Sequence, residues 1–408
     1  MNKFNSTKYL IYFIAVLGLA NILPWLWGIG TDKAIRYPFT YYSSVNRSFC
    51  YIDTEGETLE RKDVHGHSYA DAEFDRVLPM FYYRQLAIDG KLPDTLNGVA
   101  LTTQKIKQHS FFFRYKPRNL FSPKIPLHTL FESQSGKVDL EMPGDMFRFG
   151  NNGIDFIDPI TNKVNSAKSD KYSQVLKTMK FAGPPQIVAG TPSPRKPYDE
   201  GYFMVDRENM LFHLKQVNGK PFVKKTALPD GLELVHISST EYPDRRFYGF
   251  AIDSQSNLYY ISTDNYKLVS VPLPEFSFET DQLIIMGNMF YWNVGSTTRN
   301  GKTIYALDAN SIEVVDSVSY DKKINSSDEV RSYLFPATLT FTSYHTNYVR
   351  PAVTFSGFNF LYINALLAVL YVLYTRIRKQ KLSFVALAGT GLAGIYGFIP
   401  ALVINLSQ

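Results

Sequence analysis

Both ends of the chain carry long apolar runs that a water-soluble fold cannot leave exposed, so everything between them must be organised around a membrane. Residues 9–29 (YLIYFIAVLGLANILPWLWGI) contain no charge and follow Lys3 and Lys8. At about 1.5 Å of rise per residue, a helix of that length covers a hydrocarbon layer of about 30 Å. A cleaved secretory signal would have a shorter apolar core and a small-x-small cleavage site. Here the run continues through Trp25 and Trp27, which reads as a retained anchor. At the other end, residues 358–375 (FNFLYINALLAVLYVLYT) are uncharged, then come Arg376, Arg378, Lys379 and Lys381, and residues 382–406 are again uncharged. Two spans around a basic loop predict a transmembrane helical hairpin with loop 376–381 in the cytoplasm, by the excess of Lys and Arg on that side. Lys3 and Lys8 place the N-terminus on the same side. This reading gives three transmembrane α-helices: an anchor over 1–29 and a hairpin over 358–408, with an exported domain over 30–357 and an exported C-terminus.

The same placement disposes of the basic net charge. The six basic residues just named are the only charges in 1–29 and 358–408. Removing them from the 43 Lys and Arg leaves 37, equal to the 37 Asp and Glu, so the middle of the chain is formally neutral. A nucleic-acid partner is therefore not expected, because that affinity rests on neutralising phosphates. The expected partners are the lipid bilayer and an integral membrane protein. Gly389, Ala393 and Gly397, spaced by four in the last apolar run, would form one small-residue stripe where a second helix packs closely, either inside the hairpin or from another protein. No Asp, Glu, Lys or Arg interrupts the spans, which argues against a channel or transporter acting alone.

Within 30–357, five segments share alternation of apolar and polar residues broken by Asp or Asn turns: 48–64, 146–164, 201–225, 247–273 and 289–318. Asp158, Asp206 and Asp253 recur at intervals of 48 and 47 residues. A period of about 40–50 residues with about four short strands per unit fits a β-propeller blade, and 30–357 would hold six to seven. The expected fold is therefore an all-β, propeller-like exported domain. Residues 70–145 fit less well and read as degenerate blades or an insertion: 70–90 has helical spacing broken at Pro79, while 98–117 and 121–133 resemble strand pairs. The proline-rich stretch 183–199 is expected to be an exposed connection.

Chemistry leaves little trace. One cysteine, Cys50, excludes disulfides and multi-cysteine metal sites. No nucleophile elbow, phosphate loop, zinc-protease helix or EF-hand loop occurs, and no cofactor is implied. His65, His67 and Asp63 would share one strand face and could approach a metal, but a solvated turn is the better account, because two ligand types specify a metal poorly. The carboxylate pairs Glu55/Glu57, Asp139/Glu141 and Asp155/Asp158 could serve acid–base chemistry, but each also fits a solvated face or an Asx turn. The runs Phe111-Phe112-Phe113-Arg114-Tyr115 and Phe81-Tyr82-Tyr83-Arg84 could form a binding platform for carbohydrate or peptide on one face and pack a core on the other.

The segments LPMFYYRQLAIDGKLPD (78–94) and YFMVDRENMLFHLKQVNGKPFVKK (202–225), with an N-terminal span and a C-terminal hairpin around TRIRKQK, resemble an uncharacterised family of Bacteroidetes membrane proteins. That resemblance implies association with ABC-type transport systems and a large periplasmic domain on the bacterial inner membrane. It carries no catalytic residue. The resulting expectation is a non-enzymatic accessory or binding subunit of an inner-membrane complex. A membrane-tethered envelope enzyme acting on glycans or peptides, or a periplasmic sensor, is the alternative.

Overall fold

A computed structural model describes residues 3–31, 36–54, 58–150, 153–196, 198–322, 326–404 and 406. The chain divides into two compact units, one of 37–321 and one of 1–36 with 322–408. Residues 322–357, expected within the exported domain, thus belong with the helices.

The 37–321 unit is mostly β-sheet. Three consecutive four-stranded antiparallel meanders form its centre. The first uses strands Ile187–Gly190, Tyr202–Val205, Met210–Val217 and Lys220–Ala227. The second uses Leu234–Ser239, Phe247–Asp253, Leu258–Ser262 and Leu268–Val271. The third uses Gln282–Gly287, Tyr291–Thr297, Gly301–Asp308 and Val314–Asp321. Neighbouring meanders pack face to face through period-two apolar residues: Phe203, Leu211, Ile237 and Ala251 between the first and second, and Phe250, Leu258, Ile285 and Trp292 between the second and third. A three-stranded sheet of Met146–Gly150, Gly153–Asp158 and Lys163–Val164, with helix Ser166–Thr178, covers the other face of the first meander. The sheet Phe39–Tyr42, Phe49–Asp53 and Glu60–Asp63 packs on the third through Tyr42, Phe49, Ile304 and Ala306.

All five segments with the alternating pattern are sheets. Their repetition has a physical basis in the turn. Asp63, Asp206 and Asp253 are buried, and each Oδ1 accepts the backbone N–H groups two and four residues on. Each also donates its own N–H to the carbonyl four residues on. The residue three positions after each aspartate takes positive φ: Gly66, Asn209 and Ser256. Asp158 and Asp308 anchor a second turn type, accepting from the residues two and three positions on.

Three local expectations are corrected. Residues 98–117 are not a strand pair: they hold helix Thr103–His109, capped where the Thr102 hydroxyl accepts from the Lys105 N–H at 3.1 Å, before strand Phe111–Tyr115. That strand joins the third meander antiparallel to Gln282–Gly287, making a five-stranded sheet. Likewise 121–133 forms no regular strand, only single bridges at His128 and Glu132. Finally, 183–199 is not wholly an outer connection. The strand Ile187–Gly190 lies between Pro185 and Pro192, so no proline enters the ladder.

In the other unit, two helices among the described residues are long and apolar enough to cross a membrane, the N-terminal helix Lys3–Thr31 and Phe360–Ile377. The third expected span is broken into Phe384–Ala393 and Ile395–Val403. The break is Gly394, whose φ of 59° and ψ of −131° only glycine adopts readily. The second half folds back on the first: a Cβ on Gly397 would lie 2.3 Å from the Gly389 carbonyl oxygen. Asn364 holds the bend from the Phe360–Ile377 helix, its Nδ2 donating to the Gly391 carbonyl at 3.0 Å. Gly389, Ala393 and Gly397 therefore form no single stripe. Gly389 and Gly397 face each other, and the Tyr12 hydroxyl seals the crossing by donating to the Gly397 carbonyl at 3.0 Å. Residues 402 and 374 meet again at the far end, where the Tyr374 hydroxyl reaches the Leu402 carbonyl.

In a bilayer, a hairpin with arms of ten and nine residues, about 15 and 14 Å long, would leave on the side it came from. A reporter fused at the C-terminus is therefore expected on the same side as one inserted at Lys379. Opposite sides for the two reporters would restore the continuous span. Gly394→Leu, strained at positive φ and meeting the Asn364 side chain, is expected to lower detergent-solubilised yield several-fold, read by fluorescence-detected gel filtration.

Candidate functional site

The five-stranded sheet has two unlike faces because a strand alternates. Phe111, Phe113 and Tyr115 enter the core against the second meander, as do Leu283, Ile285, Trp292 and Val294. Their neighbours Phe112, Arg114, Ile284, Met286, Asn293, Gly295 and Thr297 point the other way. With Lys302 and Ile304 they line a cleft of about 260 Å³ roofed by Phe39 and Thr40. The register sets the rows. Ile284 lies opposite both Arg114 and Gly295, and Gly295 lies opposite Ile304; Thr297 and Lys302 pair two residues farther along. The side chain missing at Gly295 deepens the floor between them.

Asn293 positions the roof. Its buried Oδ1 accepts the Tyr42 N–H at 2.7 Å, while its Nδ2 donates to the Met286 carbonyl at 3.3 Å. The Thr40 hydroxyl bonds the Tyr320 hydroxyl at 2.8 Å, so it is committed to structure. Two cations remain. Among the described residues no carboxylate forms an ion pair with Arg114 or Lys302. Burial pushes the Lys302 ammonium below its ordinary value, the cost of a half-buried charge without an anion beside it. An aromatic and aliphatic cleft with two cations at its ends suits an anion with a compact apolar body. The aromatic-plus-arginine run of 111–115 is thus a core on one face and a cleft wall on the other. The single sequence gave no notice of Lys302, Asn293 or Gly295, which lie some 180–190 residues from that run.

The other candidates resolve into structure. In the Asp63 turn, His65 and His67 present their backbone N–H groups, and the Asp63 Oδ2 accepts from the Tyr69 hydroxyl at 2.8 Å. Among the described residues no three His, Cys, Asp or Glu side chains gather to hold a metal. Glu141 pairs with Lys137, and Asp155 with Arg148 across the strand. The Glu55/Glu57 pair lies outside the described residues. Burial, then the Asp63 carboxylate, push the Cys50 thiol up to about 12, where it is inert at neutral pH. Phe81 packs at a tilt against Phe39 and Tyr41, so the second aromatic run is packing.

A second polar constellation lies between the first and second meanders. Lys196 pairs with Asp199 and Glu241, and Lys215 with Glu200, all largely buried. The His213 Nε2 donates to the Glu200 carbonyl, which leaves Nδ1 to accept from the Tyr266 hydroxyl at 2.9 Å. With its cations and carboxylates matched, this cluster is a clasp between sheets. Burial, with Lys215 nearby, pushes the His213 imidazole down to about 3; burial and Lys124 push His236 down to about 4.

Comparison with known proteins places the chain in a family. Residues 39–307 match the family described as Domain of unknown function (DUF4857), about two thirds of the chain and all within the β unit, and the chain belongs to that family. No curated protein matches it. Solved structures that it resembles include Kuenenia stuttgartiensis hydrazine synthase, at 12% identity and a TM-score of 0.25 over 54% of this chain and 53% of that one. Another is the dihydro-heme d1 dehydrogenase NirN in complex with DHE, at 13% identity and a TM-score of 0.24 over 56% of each chain. The chain spans about half the length of these structures. Both are named as enzymes, so the expectation of a non-enzymatic chain is withdrawn. At such TM-scores neither likeness assigns a chemistry.

The two imidazoles give a stability test. Their folded values lie below the unfolded value of about 6.5, so the unfolded chain binds protons first and stability rises with pH between about 3 and 6.5. Each adds a slope of at most about 1.4 kcal/mol per pH unit. Thermal unfolding of the full chain in detergent between pH 5 and 6.5 is expected to show that slope, and His213→Gln to reduce it. An unchanged slope in the variant would contradict a buried neutral His213.

Proposed function

We propose that this chain is a membrane-anchored binding subunit whose β unit takes a small anion with an apolar body into the cleft beneath Phe39 and Thr40. The observation that carries the reading is the pairing of Arg114 and Lys302 at the ends of a largely apolar cleft, with no carboxylate paired to either among the described residues. A cation held half-buried without a counter-ion costs stability, and an arriving carboxylate, sulfonate or phosphate would offset that cost. A volume of about 260 Å³ suits a ligand of aromatic or short aliphatic size.

The reading extends to setting. Successive four-stranded meanders packed face to face support a propeller-like array, and the Lys and Arg beside the apolar helices support a periplasmic β unit on a bacterial inner membrane. The subunit would deliver or sense its ligand for an integral membrane partner, for which the resemblance noted above suggests an ABC-type system.

The probe is 4-phenylbutyrate, titrated calorimetrically into the full chain in detergent, with the neutral 4-phenylbutyramide as comparison. The carboxylate is expected to bind at least about tenfold tighter than the amide, since a charge-assisted hydrogen bond contributes about 1.5–3 kcal/mol. Arg114→Gln and Lys302→Gln should each weaken it about tenfold. Gly295→Val, whose Cβ meets nothing closer than 3.5 Å, should fill the floor and abolish binding while the protein stays folded. Lys302→Met should lose affinity yet unfold a few degrees higher, because it removes a charge that burial disfavours. Equal binding of acid and amide, or full binding by Gly295→Val, would overturn the assignment.

A further inference from the structure

In the unit of 1–36 and 322–408, a groove of about 450 Å³ runs beside the end of the N-terminal helix remote from Lys8. One wall is Asn21, Pro24, Trp25, Gly28 and Ile29 of that helix; the other is 338–342, with Arg331 of helix Ser326–Leu334 between them. The Asn21 Nδ2 donates to the Leu339 carbonyl at 2.8 Å and fixes the two walls. The Arg331 Nη2 approaches the Thr338 hydroxyl at 3.4 Å, and Thr340 and Thr342 add two hydroxyls on the same wall. Trp25 and Ile29 are each more than 60% exposed, as large apolar side chains on a helix of spanning length would be if lipid were their solvent.

We infer that this groove holds a phospholipid, its phosphodiester on Arg331 and the Thr338–Thr342 wall and its acyl chain along Pro24, Trp25 and Ile29. Three features select lipid over other occupants. The cation is an arginine, whose planar fork matches phosphate oxygens in pairs. Hydroxyls stand beside it at a depth where a spanning helix passes from the hydrocarbon into the headgroup layer. The remaining wall is apolar and continuous with the lipid-facing side of the helix. The site is separate from the cleft in the β unit and stands or falls independently of it.

The test is native mass spectrometry of the full chain, purified in mild detergent and supplied with dioleoylphosphatidylglycerol. The wild type is expected to keep one phospholipid under activation that strips the detergent. Arg331→Gln should lose it, Arg331→Lys should keep a fraction, and Thr342→Trp should lose it by filling the groove with the charge left in place. Thr342→Trp also covers the case in which Arg331→Gln fails to fold. Retention by Arg331→Gln and Thr342→Trp equal to wild type, no retained lipid in the wild type, or inorganic phosphate as the only species retained would each overturn the inference.

Discussion

Register governs this fold, and buried carboxylates set it. An ionised aspartate is an acceptor with several lone pairs, and burying one is costly unless donors surround it. Asp63, Asp206 and Asp253 meet that demand with backbone N–H groups of the turn that follows; Asp206 and Asp253 thereby fix how two strands pair, and Asp63 the bridge between Lys62 and Ser68. At Asp63 and Asp253 a tyrosine six residues on, Tyr69 or Tyr259, also donates to Oδ2. A slip of one residue would strand the carboxylate and turn every side chain of the strand to the wrong face. The cleft depends on the same rule, since Arg114, Gly295 and Lys302 share it only in the observed pairing.

The helical unit follows a different constraint. Away from water, each backbone N–H and carbonyl needs a partner within the protein, and a helix interrupted in its middle frees several. The bend at Gly394 is tolerated because Asn364 supplies its amide to the Gly391 carbonyl and Tyr12 closes the crossing at Gly397. Small residues are used here for contact between the two arms. Their spacing of four, which in a straight helix would mark a stripe, marks instead two positions where backbones touch.

The two polar constellations of the β unit show how pairing separates structure from binding capacity. Lys196, Lys215, Asp199, Glu200 and Glu241 satisfy one another between two sheets. Arg114 and Lys302 have no such arrangement among the described residues, and they sit where a cavity exists. Similar residue types thus act as a clasp in one place and as an open receptor in another. Sequence composition does not distinguish the two.

Alternation and turn chemistry are local, so the five β segments, the recurrent aspartates and the two apolar helices were legible in the sequence. The core role of Phe111, Phe113 and Tyr115 was legible for the same reason, as period two forces one face inward. Other features needed the folded chain. The strand Phe111–Tyr115 could be seen, but not that it would pair with Gln282–Gly287, about 170 residues away. Helix Thr103–His109 was hidden because Val99, Leu101 and Ile106 mimic a strand pair until the Thr102 cap is seen. The run 382–406 has the length and apolarity of a span, and hydropathy is blind to one residue with positive φ. That residue, Gly394, with Asn364 and Tyr12 brought to it from other helices, decided that the run turns back, because close backbone approach is a property of three dimensions rather than of composition.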